Sequence, residues 1–153
     1  MSIDDASVAE RVAGLGLDAM AAWDDPARLH QLGRTVVNEL RYQGERRAWT
    51  HEQIAARART GLSDLYAGAV ETALDRDVVR AAQLYEHSRE AIAPERQAAL
   101  DSRFVAARET LVVRDIDEAM AAMELDPAAP PVAAAFENRA AELMPGDAPT
   151  ELR

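Results

Sequence analysis

The chain has 153 residues, 48% hydrophobic and 29% charged, which is the size and balance of one globular domain. Its 27 acids outweigh 17 bases for a net charge of −10; every base is arginine, and cysteine is absent. These figures exclude disulfide frameworks, thiolate nucleophiles and cysteine-based zinc sites. They also argue against nucleic acid as a main ligand, because phosphate-backbone affinity rests on clustered cations and no basic block exceeds Arg46-Arg47.

The apolar content is mostly Ala, Leu and Val, with only 5% aromatic residues. Alanine favours helix because it loses no side-chain entropy there, yet each buried Ala removes little apolar area from water. Closely packed helices with a thin core are the expectation. The start, Met1-Ser2-Ile3-Asp4-Asp5, is acidic and lacks the basic residues and apolar run of a signal peptide. No apolar run approaches the roughly 20 residues that span a bilayer. A cytoplasmic location with no membrane partner is therefore expected.

In chain order, Ser7-Val8-Ala9-Glu10 has the capping-box pattern and predicts a helix start. Gly14 and Gly16 predict a kink or turn, with a second short piece ending near Trp23. Asp25 as N-cap and Pro26 at the first helical position open the next helix. Its Leu29, Leu32, Val36 and Leu40 line one face, and Gly44 marks its stop. Thr50-His51-Glu52-Gln53 is a second capping box, opening a helix with Ile54, Ala58, Leu62, Leu65 and Ala69 on one stripe; Thr60-Gly61 is a place to bend or split it.

Asp75 or Asp77 caps a helix carrying Val78, Ala81, Ala82 and Tyr85, which Ala93-Pro94-Glu95 ends. The following helix shows Leu100, Phe104, Ala107, Leu111 and Ile116, and its reach to Leu125 makes it the longest. Residues 1–125 form the predicted helical domain. A proline-rich break over 126–131, a last helix over 132–144 and a frayed tail over 145–153 complete the expected organisation. No stretch alternates apolar and polar residues, so no sheet is expected. The fold class is all-α, as antiparallel helical hairpins or a bundle, with a tetratricopeptide-like stack as one form of it. No second copy of any hairpin recurs at a steady period.

Chemistry-bearing motifs fail one by one. His51-Glu52 begins like a zinc-protease helix, but Ala55 stands where the second His is needed. His30, His51 and His87 lie on separate helices. Asp115-x-Asp117-Glu118 lacks the third ligand and the sixth-position glycine of a calcium loop. Asp4-Asp5, Asp24-Asp25 and Asp75/Asp77 sit at helix starts, where the dipole favours negative charge. Nucleophile elbows and phosphate- or dinucleotide-binding glycine loops are absent. The sequence therefore assigns no catalytic, cofactor-binding or metal residue, no cofactor and no small-molecule substrate. Trp23, Tyr42, Arg46, Arg47 and Trp49 are the candidate protein interface, since aromatics with arginine neighbours are enriched there. The competing reading makes the two Trp rings anchors of helix ends.

Residues 62–123 carry Leu65-Tyr66, Ala73-Leu74-Asp75-Arg76-Asp77, Ala81, Tyr85, Ile92-Ala93-Pro94-Glu95-Arg96 and Leu100. This run of helix, acidic turn, Ala/Tyr helix and proline-started helix resembles the helical hairpins of tailed-phage internal virion or ejection proteins. In that family the hairpins accompany a lysozyme-like or transglycosylase part, for which this chain has no room. The resemblance implies a virion component that assembles with copies of itself or with other virion proteins, and it assigns no functional residue. The expected function is thus a non-enzymatic structural or assembly protein. A tetratricopeptide-like adaptor for a partner protein or peptide is the alternative, and a small helical enzyme the third class.

Overall fold

The computed structural model describes residues 3–125, with side chains over 6–123. The expected break over 126–131, the helix over 132–144 and the tail over 145–153 lie outside the described residues. Five α-helices and one short 3₁₀ turn, without a strand, make up the described chain: α1 (Ile3–Ala21), α2 (Pro26–Arg46), α3 (His51–Arg76), α4 (Val78–Ser88), the turn Arg89–Ala91, and α5 (Pro94–Leu125). The fold is all-α, as the periodicity and composition predict. The chain divides into two compact units, Met1–Ser102 and Arg103–Arg153.

Caps set the starts of three helices. Asp25 Oδ1 accepts from the Arg28 N–H at 3.0 Å, with Pro26 at the first position of α2. Thr50 Oγ1 accepts from the Gln53 N–H at 3.1 Å while Gln53 Oε1 accepts from the Thr50 N–H at 2.9 Å, closing the predicted capping box. Of the two candidate caps for α4, Asp77 takes the role: its Oδ1 accepts from the Val79 and Arg80 N–H groups, both at 3.1 Å. Each such cap is worth about 1 kcal/mol.

Four local expectations are corrected. Ser7 lies inside α1, not at its start, and α1 runs unbroken through Gly14 and Gly16. Gly44 lies inside α2, which continues to Arg46. The turn that follows is closed instead by Ala48 at φ 55°, with the Trp49 N–H donating to the Gly44 carbonyl at 2.9 Å. α3 is one continuous helix of 26 residues and does not split at Thr60-Gly61.

The reason is tertiary. A methyl group placed on Gly44 would lie 2.6 Å from Ile54 Cδ1 and 3.1 Å from Trp49 Cε3, and one on Gly61 would lie 2.8 Å from Val36 Cγ1. These glycines let α2 and α3 approach closely; they do not terminate anything. The contacts Gly44–Ile54, Leu40–Gly61 and Gly33–Tyr66 step along the two helices in opposite directions, so α2 and α3 are antiparallel. Ala19 of α1, Leu29, Leu32, Val36 and Leu40 of α2, and Leu65 and Ala69 of α3 form the buried core. α3 is its centre, packing against α1, α2 and α4. Its second half is buried on nearly every side, through Ser63, Leu65, Ala67, Ala69, Val70, Ala73 and Leu74. Small residues among these allow several neighbours to come near, as an alanine-rich composition requires.

Candidate functional site

The two ends of α2 separate the predicted interface residues. Antiparallel α1 and α2 place Arg11 Nε 3.3 Å from Glu39 Oε2, beside a groove of about 330 Å³ lined by Ser7, Val8, Arg11, Tyr42, Arg46 and Arg47. Tyr42 is 57% exposed. The Arg46 guanidinium lies 5.7 Å from its ring centroid, because residues four apart meet on one helix face. Tyr42, Arg46 and Arg47 line this groove together.

Trp23 and Trp49 are not among the residues that line that groove. Trp49 is half-buried against the α2–α3 turn, and the Arg57 guanidinium of α3 covers its ring at 4.0 Å. Such a contact is worth about 0.5–1 kcal/mol and fixes the turn. Trp23, also half-buried, follows α1 near the start of α2. The 21 residues of α2 put roughly 30 Å between its two ends. Trp23 therefore stands at the far end of α2 from Tyr42, Arg46 and Arg47, whereas Trp49 packs beside Gly44 at their own end.

A second groove, of about 380 Å³, lies where α2 crosses α3. His30, Arg34, Val37, Asn38, Leu62 and Tyr66 line it. Its floor is Gly33, where a methyl group would sit 3.2 Å from Leu62 Cδ2 and 3.4 Å from the Tyr66 hydroxyl. Burial pushes the Tyr66 phenol above its ordinary value.

A polar knot joins α4 to the first turns of α5. The buried Tyr85 hydroxyl donates to Asp101 Oδ1 at 2.8 Å, and Arg89 reaches Asp101 Oδ2 at 3.5 Å. The Tyr85 phenol is pushed up to about 12, first by burial and then by the hydrogen bond and charge of Asp101, against a smaller opposing pull from Arg89. Ser63 Oγ, buried in α3, accepts from the Ala93 N–H at 2.8 Å, and Gln97 Nε2 donates to the Arg89 and Ile92 carbonyls. These bonds satisfy backbone groups left open between α4 and α5.

Among the described residues, no three His, Asp or Glu side chains cluster as a metal site would need. His51 opens α3, and His87 Nδ1 lies 2.9 Å from the Gln83 carbonyl of its own helix.

One feature was not singled out from the sequence. Val105, Val113, Ile116, Met120 and Met123 of α5 are all between 40% and 58% exposed. At 3.6 residues per turn they fall within an arc of roughly 80°. The periodicity of Leu100, Phe104, Ala107 and Leu111 marks a different face, along which Leu100 and Phe104 are buried. Ile116 falls on the exposed row. The signal was present, in the three-four-three spacing of residues 113, 116, 120 and 123.

No family model matches the chain, and neither a curated protein nor a solved structure does. Among the described residues, no helix is long and apolar enough to cross a membrane.

Proposed function

We propose that this chain is a structural or assembly protein that works through helix-mediated contacts with other protein chains, copies of itself first among them, and catalyses no reaction. The observation that carries the reading is the exposed apolar row on α5. Val113, Ile116, Met120 and Met123, four large exposed apolar side chains on successive turns of one helix face, form a patch of the kind that marks interaction surfaces, whereas single exposed apolar residues need no explanation. The Tyr42–Arg46–Arg47 surface adds an aromatic and arginine cluster of interface composition. The likeness of residues 62–123 to ejection-protein hairpins points the same way and extends the proposal to a virion component.

Solution mass by light scattering behind a sizing column, over a hundredfold range of concentration, tests the reading. A discrete oligomer is the expected result, and a monomer at every concentration would overturn self-assembly. A second reading, a tetratricopeptide-like adaptor, is favoured by the apolar groove beside Tyr66, which is a concave seat for a peptide side chain. It calls for a monomer that takes up a partner peptide there.

A further inference from the structure

We infer that the groove between α2 and α3 seats a short acidic segment of a partner protein. An apolar side chain of that segment fills the floor, and a neighbouring carboxylate meets the rim. This rests on the adaptor reading of the groove; the α5 row plays no part in it. The floor is apolar, made by Gly33, Val37, Leu62 and Ala91. Four polar side chains stand around it, His30, Arg34, Asn38 and Tyr66, and none is a carboxylate. In a chain with 27 acids against 17 bases, that sets the groove apart. Each of the four can donate a hydrogen bond. Among the described residues none of these side chains has a partner, so an incoming acceptor breaks no existing bond.

Charge complementarity selects the occupant. Arg41 lies one turn beyond Val37 on α2, and Arg59 one turn before Leu62 on α3. Both are exposed and, like Arg34, have no carboxylate partner among the described residues. The acids of the lining elements are held elsewhere or lie apart. Glu39 and Asp64 are paired with Arg11 and Arg96. Glu45 follows Arg41 by a turn and is about two turns from Asn38; Glu52 is further still from Leu62, and Glu71 and Asp75 lie more than a turn past Tyr66. Glu90, exposed beside Ala91, stands at one end. The cations around the middle therefore favour an anion there.

From His30 to Asn38 the groove follows α2 for roughly 12 Å, the length of about three or four extended residues. It is open to solvent, which suits a chain laid along it. A net charge of −10 and so short a row of cations disfavour nucleic acid and anionic membranes.

Panning a displayed library of random short peptides on the native chain tests the inference. Peptides that place Leu, Phe or another large apolar residue next to Asp or Glu are expected to be enriched. The consensus peptide, made with a fluorophore, should lose affinity several-fold between about 0.05 and about 0.5 M salt. Arg34→Glu should weaken it roughly tenfold or more, and Tyr66→Phe about threefold. Both substitutions spare the core, since Arg34 is exposed and Phe keeps the Tyr66 ring, and circular dichroism checks that helix content is kept.

Enrichment of neutral apolar peptides, unmoved by Arg34→Glu, would leave the adaptor reading standing and overturn this inference alone. Acidic peptides that bind both variants as well as the native chain would have their seat elsewhere, and the inference would fall. If no peptide is enriched, the adaptor reading and the inference fall together. Phosphatidylserine vesicles that then sediment the native chain but not Arg34→Glu would assign the cations to a membrane.

Discussion

The α2–α3 seam and the outer half of α5 are both helical and both carry rows of apolar side chains, yet one row is closed and the other open. Along the seam, Leu and Val on one helix meet Gly and Ala on the other. Gly61 faces Val36 and Leu40, and Gly44 faces Ile54, so large side chains enter spaces that a methyl group would fill. The outer half of α5 presents Val, Ile and Met, all exposed. The contrast teaches that burial here depends on complementary size across a seam, more than on how apolar a single row is. Substitutions that disturb size at the seam should cost stability, whereas those on the α5 row should act on association.

The largest effect is expected at the centre. Leu65 is 2% exposed and belongs to the core cluster shared by α1, α2 and α3. Leu65→Ala should lower unfolding free energy by about 2–5 kcal/mol, read from chemical denaturation, because alanine neighbours collapse poorly onto the void. Gly44→Val comes next, at about 1–3 kcal/mol, since even its first carbon meets Ile54 and Trp49. If Gly44→Val were neutral, the seam would be looser than its geometry implies and the contrast with α5 would weaken.

These two positions also mark how far the sequence could be read. Asp25-Pro26, Thr50-x-x-Gln53 and Asp77 announced three helix starts because capping is local chemistry, decided within three or four residues. Gly44 and Gly61 misled because helix interruption and close helix packing call for the same residue, and only the facing helix tells them apart. Ser7 misled in the same way: α1 begins upstream of it, at Ile3. Tyr42, Arg46 and Arg47 stand out for their aromatic and arginine character, and they line one groove together. Trp23 lies at the opposite end of α2, and Trp49 past its exit turn with the Arg57 guanidinium over its ring.

The α4–α5 knot sharpens the comparison with a polar counterpart. Tyr85→Phe should cost about 0.5–1.5 kcal/mol at neutral pH through loss of the bond to Asp101. Its pH signature is specific. The folded chain holds the Tyr85 proton up to about 12, whereas an ordinary tyrosine loses it near 10. The stabilisation is therefore complete below pH 10 and lost as pH climbs toward 12. The denaturation midpoint should fall across that window and fall less in Tyr85→Phe, with Tyr66, shifted the same way, accounting for part of the remainder. A variant tracking the native chain through the whole window would remove Tyr85 from the account.

A smaller effect separates glycines that pack from glycines that do not. Gly14 lies inside α1 with open space where a methyl group would go, and its conformational freedom serves no turn there. Gly14→Ala should raise the unfolding free energy by about 0.5–1 kcal/mol, through helix propensity and a less flexible unfolded chain. The same substitution at Gly44 should lower it. Opposite signs from one chemical change would tie the cost at the seam to the facing helix and to nothing intrinsic in the residue.

The smallest effect on folding is expected on α5. Met120 is 58% exposed, so Met120→Ser removes little that the single chain buries. At dilutions where the protein is monomeric, the unfolding free energy should shift by less than about 0.5 kcal/mol. At higher concentration the native chain should gain stability as copies bind, by mass action, and the variant should gain less. The two chains would then unfold alike when dilute and diverge as concentration rises. That divergence is the expected mark of a row whose neighbour is another molecule, since a row packed within its own chain would show the same penalty at every concentration.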